Sequence, residues 1–247
     1  MSRFKDRIAL VTGASRGLGR AAALALAREG AHVVAVAREK SVGALEELDD
    51  DIRAVGGTAT LVPLDLTDRG GIDRLGGAIY ERWGRLDVLI GNAGVLGVLS
   101  PLGHIDPDVW EKTLAVNLTA NWRLIRSLDP LLRQSDAGRA VFVTSGAAGK
   151  ATPYWGVYAV SKAGLETLVR TYANECARTT TIKANLLNPG PVRTAMRAEA
   201  FPGEDPETLP TPEDVAPLFL EMAAPEYPEN GVCVDFRTWR KRRRHRT

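Results

Sequence analysis

Short apolar runs alternate along this chain with stretches in which apolar residues recur every three or four positions. Ile8-Ala9-Leu10-Val11, Ala31 to Ala37, Thr60 to Leu64, Leu86 to Ile90, Ala140 to Ser145, Ile182 to Leu187 and Val232 to Phe236 have the length and content of buried strands. Between them lie helical patterns. Ala21 to Arg28 is rich in alanine and leucine, and Gly30 is placed to close it. From Ser41, a candidate cap, to Val55, the residues Leu45, Leu48, Ile52 and Val55 share one face, and Gly56-Gly57 ends the run. Asp68 to Trp83 carries Ile72, Leu75 and Ile79 on one face. It also carries Gly70, Gly71, Gly76 and Gly77, each costing up to ~1 kcal/mol in a helix interior.

Pro107 suits the first turn of a long helix through Leu132. Its apolar positions, among them Trp110, Leu118, Trp122 and Ile125, cover more than one stripe, and so do Val160, Leu165, Leu168, Val169 and Tyr172 after Tyr158. A subunit interface and a wide core contact both account for that breadth. Three prolines mark Glu204 to Pro212 as a loop, and Thr211-Pro212-Glu213-Asp214 opens a further helix. Strands alternating with helices predict a parallel sheet covered on both faces, in one domain over residues 1–239 without repeats or internal linkers.

Composition changes this picture little. The chain has 247 residues, 45% hydrophobic and 25% charged, enough for one large α/β domain. No apolar run approaches the ~20 residues of a membrane span, and Met1 to Arg7 leads into the first strand without a secretory segment. Cys176 and Cys233 lie far apart, with no metal-ligand spacing and no framework of pairs. These features predict a soluble cytoplasmic protein with reduced thiols, no metal and no membrane partner. The net charge of +2 is set by residues 240–247. Without the six basic residues there, 26 Lys and Arg face 30 Asp and Glu, which argues against nucleic acid as a partner of the domain. The tail itself reads as solvated and disordered, or else as a contact for an acidic partner such as nucleic acid, an acyl carrier or a neighbouring subunit.

Candidate chemistry centres on Tyr158-Ala159-Val160-Ser161-Lys162. Four residues apart in a helix, a phenol and an ammonium project from the same face. A phenol of ordinary pKa near ~10 works poorly as an acid or base at neutral pH unless a nearby cation stabilises its phenolate. Upstream, the first strand ends in Thr12-Gly13-Ala14-Ser15-Arg16-Gly17-Leu18-Gly19 and enters a helix. Glycines there let the backbone approach a dinucleotide pyrophosphate, whose charge sits on the helix N-terminus.

With these motifs in place the sequence resembles the short-chain dehydrogenases/reductases over essentially residues 6 to 236. The family's TGxxxGxG turn matches Thr12 to Gly19, and its N-A-G motif matches Asn92-Ala93-Gly94, preceded here by Gly91 where many relatives have asparagine. Asn117 matches the active-site asparagine. Ser145 stands thirteen residues before Tyr158, the usual offset of the catalytic serine. Pro189-Gly190 follows the sixth strand, and Thr194 takes the position that helps hold the nicotinamide carboxamide.

The resemblance implies a Rossmann-type doubly wound parallel sheet of seven strands in the order 3-2-1-4-5-6-7, with helices on both faces. It implies catalytic roles for Asn117, Ser145, Tyr158 and Lys162. Ser145 would polarise a substrate carbonyl, and Tyr158 would exchange its proton. Lys162 would lower the tyrosine pKa and hold the nicotinamide ribose, and Asn117 would keep a water in the proton path. The implied cofactor set is Gly13, Ser15, Arg16, Gly17, Leu18, Gly19, Arg38, Asp65, Leu66, Asn92, Ala93, Gly94, Tyr158, Lys162, Pro189, Gly190, Val192 and Thr194, with Asp65 near the adenine.

Arg16 and Arg38 fill both places where a basic residue marks NADP(H) in relatives, and no acid follows the second strand until Glu39. The expected activity is hydride transfer between NADP(H) and a carbonyl or secondary alcohol, in the branch of 3-oxoacyl-(acyl carrier protein) reductases, by a homodimer or homotetramer. An NAD-linked hydroxysteroid- or sugar-type dehydrogenase and a non-catalytic nucleotide-bound regulator are the alternatives. The chain departs from the family at its end, where Val234-Asp235-Phe236-Arg237 replaces Val-Asp-Gly-Gly. The short covering segment from Ala195 to Pro212, with Leu96, Ala147, Trp155 and Met196, predicts an apolar, fairly open pocket.

Overall fold

Seven parallel strands form one sheet in the order 3-2-1-4-5-6-7: β1 (Ile8–Thr12), β2 (His32–Ala37), β3 (Thr58–Pro63), β4 (Val88–Gly91), β5 (Arg139–Val143), β6 (Lys183–Asn188) and β7 (Cys233–Asp235). The structure is a computed structural model, and it describes residues 2–244. Leu10 lies opposite Val34 on one side and Leu89 on the other, which sets the register of the centre. Successive side chains of a strand point to opposite faces, so a sheet buried on both sides favours apolar residues on both faces. β1, β4 and β5 are buried throughout.

Helices α1 (Gly17–Arg28), α2 (Val42–Ala54) and α8 (Pro212–Ala223) cover one face with Leu26, Leu48, Ile52, Leu218 and Phe219. Helices α3 (Arg69–Trp83), α5 (Ala120–Leu132) and α6 (Gly156–Cys176) cover the other with Ile72, Ile79, Leu124, Leu128, Leu165 and Val169. A Thr211–Asp214 capping box starts α8.

The structure departs from the sequence pattern in instructive places. The long helix is three pieces: α4 (Pro107–Leu114), a π-helical segment Ala115–Thr119, and α5. Such wide turns cluster at functional positions, and this one contains Asn117. Val55 lies beyond α2 and is exposed, and Ser41 precedes that helix without a capping bond from its hydroxyl. Phe236 does not belong to the last strand. It begins α9 (Phe236–Arg244), which runs through the boundary expected at residue 239.

Asp235 caps α9 by accepting from Thr238 N (3.0 Å) and Oγ1 (3.2 Å), Phe236 is buried, and Arg240 and Arg243 stack over Phe236 and Trp239. The basic run is therefore helical through Arg244 rather than disordered. Its last three residues lie outside the described ones. Within the stretch expected to be a loop, Glu204 to Pro212, a single turn forms at Pro206–Thr208, and the short α7 (Ala195–Ala200) precedes it in the covering segment.

Among the described residues no helix is long and apolar enough to cross a membrane, and no group of three or more His, Cys, Asp or Glu could hold a metal.

Two of the glycines of α3 have a packing reason. A side chain at Gly71 would overlap Leu64, and one at Gly76 would overlap the Ser127 hydroxyl and come within 3.1 Å of the Ser127 carbonyl oxygen. Ser127 Oγ donates to Ile72 O at 3.1 Å, so the serine side chain joins the two helices where Gly76 lets them approach. Gly77 faces open space. Substituting these neighbours should therefore move stability in opposite directions. Gly77→Ala gains about 0.5–1 kcal/mol from helix propensity. Gly76→Ala loses about 1 kcal/mol or more, because overpacking exceeds that gain. Urea midpoints of the two variants provide the check, and a shift of the same sign in both would refute the packing argument.

Candidate active site

The carboxyl ends of the strands open onto one cleft of about 1720 Å³. Its floor starts at the turn after β1. Gly13 has φ +67°, and a Cβ there would lie 2.9 Å from Asn92 Nδ2 and 3.0 Å from Ala93 Cα. A Cβ at Gly19 would overlap the Gly13 carbonyl, so that glycine permits α1 to close on the turn. Buried Thr12 clamps the turn to the end of β4. Its hydroxyl donates to Ile90 O (3.2 Å) and accepts from Asn92 N (3.0 Å) and Ala93 N (3.1 Å), while Asn92 Nδ2 donates to Thr12 O at 2.9 Å. Thr12 is a positioning residue that the candidate set lacked, although it opens the glycine motif. Gly91 is explained by packing, since a side chain there would overlap the Phe142 ring.

Gly13, Ser15, Arg16, Gly17 and Leu18 line the cleft, and Gly19 lies behind its wall. Arg38, Asp65 and Leu66 line the end under β2 and β3. Asp65 accepts from Thr67 N (2.9 Å) and Oγ1 (2.8 Å). Its carboxyl is held below the ordinary value first by that N–H bond, then by the hydroxyl and the charges of Arg38 and Lys112, against a desolvation that raises it. The turn Glu39–Ser41 presents Lys40 and Ser41 to the cleft, and Glu39 is not part of the wall. Exposed Arg16, Arg38 and Lys40 thus make this corner cationic.

At the other end lie Ser145, Tyr158 and Lys162, with Asn92, Ala93, Gly94, Pro189, Gly190, Val192 and Thr194 along the same wall. Ser145 follows β5 and its hydroxyl accepts from Ala147 N at 3.2 Å. Tyr158 is 7% exposed and hydrogen-bonded to Ser145. Lys162 is 3% exposed, and its Nζ donates to Val143 O at 2.8 Å.

One expectation is reversed. Burial raises the Tyr158 pKa above its ordinary value, and the opposing pull comes from the Ser145 bond rather than from Lys162. The Lys162 ammonium is committed to Val143 O and sits 5.8 Å from the Tyr158 ring centre. Burial brings Lys162 itself down to about 8.

Asn117 does not reach the cleft wall. Its Nδ2 donates to Val95 O (2.8 Å) and Ser161 Oγ (3.0 Å), and its Oδ1 accepts from Val95 N (2.8 Å). Ser161 Oγ in turn donates to Tyr158 O at 2.7 Å. The side chain of Asn117 therefore ties the loop after β4 to the turn of α6 that carries Tyr158.

Trp155 meets Tyr158 edge-on at 5.8 Å and Phe201 at 5.7 Å, and with Leu96, Ala147 and Met196 they make an apolar wall. Arg197 covers Phe201 at 3.6 Å and is held by Glu204 (2.5 and 2.7 Å). Lys150, Phe201 and Arg237 also line the cleft and were missed by sequence reasoning. The unusual chain end at Phe236-Arg237 was the available signal for the last.

Known proteins match this arrangement. The family described as short chain dehydrogenase matches residues 7–205. An uncharacterized oxidoreductase of Escherichia coli strain K12, YciK, is 37% identical over 241 residues, covering 96% of this chain and 94% of its own. A short chain dehydrogenase of Shigella flexneri 2a strain 301, solved with NADP, superposes with TM-score 0.90 at 37% identity over 96% of this chain and 99% of that one. One from Escherichia coli CFT073, solved with NADPH, gives 0.90 at 38% identity over 95% and 98%. Fold, glycine turn and near-complete matches agree that the chain belongs to the short-chain dehydrogenase family.

Proposed function

We propose that the protein is an NADP(H)-dependent carbonyl reductase, working in reverse as an alcohol dehydrogenase. The observation that carries this reading is the meeting of Ser145, Tyr158 and Lys162 on one cleft wall, with the phenol held protonated by burial. A carbonyl reduction needs a proton donor in its acid form, and Tyr158 is in that form across neutral pH. Ser145 orients and polarises the substrate oxygen, Tyr158 gives it a proton, and Lys162 supplies the cation that stabilises the resulting phenolate. The bound dinucleotide supplies the hydride. Asn117 acts as a positioning residue through Val95 and Ser161.

The glycine turn, with no room for a Cβ at Gly13 or Gly19, fits a closely approaching pyrophosphate. Arg16, Arg38 and Lys40 fit a 2′-phosphate, and the Shigella and Escherichia relatives solved with NADP and NADPH support the same choice. The apolar wall of Leu96, Trp155, Met196 and Phe201 suits an acyl chain, which supports a 3-oxoacyl thioester as the finer substrate reading. Trp122 and Val160, both 46% exposed on α5 and α6, support a homo-oligomer built on those helices.

Tyr158→Phe keeps the ring and removes only the hydroxyl. Turnover should fall by about 10²-fold or more, while NADPH still quenches intrinsic fluorescence with an unchanged dissociation constant. Activity above a few per cent of wild type would move the acid elsewhere.

The depressed pKa of Lys162 fixes a pH limb. Below about 8 the ammonium is charged, and above it the charge is lost. Carbonyl reduction should therefore show kcat/KM level near neutrality and falling through about 8, with the limb absent in Lys162→Met. A wild-type profile that stays flat well into the alkaline range would remove Lys162 from this role.

Charge-assisted bonds to a phosphate contribute about 1.5–3 kcal/mol each, so two arginines should favour NADPH over NADH by roughly a hundredfold or more in kcat/KM. The Arg16→Ala, Arg38→Ala double variant should lose most of that ratio. Equal use of both dinucleotides by the wild type would sink the assignment.

A further inference from the structure

The cations at the catalytic end of the cleft divide into two groups. Arg193 is neutralised by Glu207 (3.0 Å) and bonded to Pro206 O, and Arg197 is neutralised by Glu204. Lys150 and Arg237 differ. Both are exposed and line the cleft, and neither side chain makes a hydrogen bond or ion pair among the described residues. The carboxylates nearby are already committed. Asp235 accepts from Asn188 Nδ2 (3.1 Å) and from Thr238 at the start of α9, and Glu204, which feels the charge of Arg237, is gripped by Arg197 at both oxygens.

The two free cations flank the catalytic serine and the loop after β6. Lys150 Cε and Asn188 Nδ2 lie 3.8 and 3.7 Å from where a Cβ of Gly146 would be, immediately after Ser145. Asn188 Oδ1 accepts from Gly190 N at 3.1 Å, and the Arg237 stem passes over Gly190, its Nε 3.5 Å from the Cβ position there. Ser145, Lys150, Asn188 and Arg237 therefore occupy the ends of β5, β6 and β7, which are adjacent in the sheet. The sheet thus brings a guanidinium and an ammonium to the same end of the cleft as the group that would hold the substrate carbonyl.

We propose that Lys150 and Arg237 form an anion-binding corner and that the substrate is a carbonyl compound carrying a carboxylate or phosphate group. This deepens the reductase reading and rests on it for the word substrate. A guanidinium in an open cleft offers forked donors to such an oxyanion, and a flexible ammonium adds a point charge from the second side. Arg193 and Arg197 cannot serve, because Glu207 and Glu204 already hold them. The anion would hold one end of the molecule while Ser145 and Tyr158 hold the carbonyl, and chain length between the two groups becomes a determinant of specificity.

The test compares NADPH oxidation with 4-oxopentanoate and 5-oxohexanoate against their methyl esters, and with dihydroxyacetone phosphate against dihydroxyacetone. Wild-type protein should favour at least one anionic member over its neutral partner by roughly tenfold or more in kcat/KM. The Lys150→Gln, Arg237→Gln double variant should bring that ratio close to one, and each single variant should lower it. Preference confined to the keto acids identifies a carboxylate, and preference confined to the phosphate identifies a phosphoryl group. Ratios near one in the wild type, or ratios that survive in the double variant, overturn the proposal. So does a variant that weakens NADPH binding while leaving the ratio intact, since the cations would then belong to the dinucleotide. If no probe is reduced, the reductase reading fails for these carbonyls, and calorimetric titration with NADP⁺ present decides the corner separately. Anion binding abolished in the double variant upholds it, and no anion binding by the wild type overturns it.

Discussion

The site depends on a charge placed where charges are expensive. Lys162 is 3% exposed and its ammonium has one protein hydrogen bond, to the Val143 carbonyl. Removing an ammonium from water without a counter-ion costs several kcal/mol, and here the cost shows as a pKa pulled down to about 8. Only a rigid surround keeps such a group in place. α6 packs along its length against the sheet through Leu165 and Val169. The last residue of β5 offers Val143 O, and Gly94 leaves the space beside Nζ without a side chain.

The same economy explains why the neighbours of Lys162 are tied to one another rather than to solvent. Asn117 sits in a π-helical turn, whose extra residue breaks the long helix at the position where its amide meets the Val95 peptide and Ser161. Ser161 passes the connection to the Tyr158 carbonyl, so the loop after β4 and the first turns of α6 are joined by side-chain hydrogen bonds. On the other side of the cleft floor, Thr12 and Asn92 join the glycine turn to that loop. The glycine turn and Tyr158 are thus fixed to one another through the end of β4, although residues 13 and 158 are far apart in sequence.

Much of this was legible in the chain before any fold was in view. Strands at the centre of a doubly covered sheet are apolar over most of their length, so β1, β4 and β5 announced themselves, and the glycine turn, Ser145, Tyr158 and Lys162 stood out as residues that meet at one cleft. What escaped depends on tertiary approach. The extra residue at Asn117 leaves the apolar spacing nearly unchanged and is invisible to periodicity. Gly76 looks like a helix defect until Ser127 is seen against it. Phe236 reads as the end of a strand because it is apolar, but Asp235 caps a helix there and turns Arg237 into the cleft. The Tyr158 pKa was misjudged because sequence spacing shows that Lys162 is near, and only geometry shows that its proton is aimed at Val143 O.

Charge is distributed along the cleft in a way that follows from this architecture. Positive groups gather at the outer corners: Arg16, Arg38 and Lys40 below β2, and Lys150 with Arg237 at the ends of β5 to β7. The interior between them holds the buried Lys162, the neutral Ser145 and Tyr158, and an apolar wall made by Trp155 and Phe201. A cation at an open corner attracts an anion from solvent with little desolvation, whereas the same cation beside Tyr158 would compete with Lys162 for the phenolate. On the proposed reading, separating recognition from proton transfer would let the corners hold charged ends of two ligands without altering the acid between them. The covering segment repeats the rule, because Arg197 lies over Phe201 and is neutralised by Glu204.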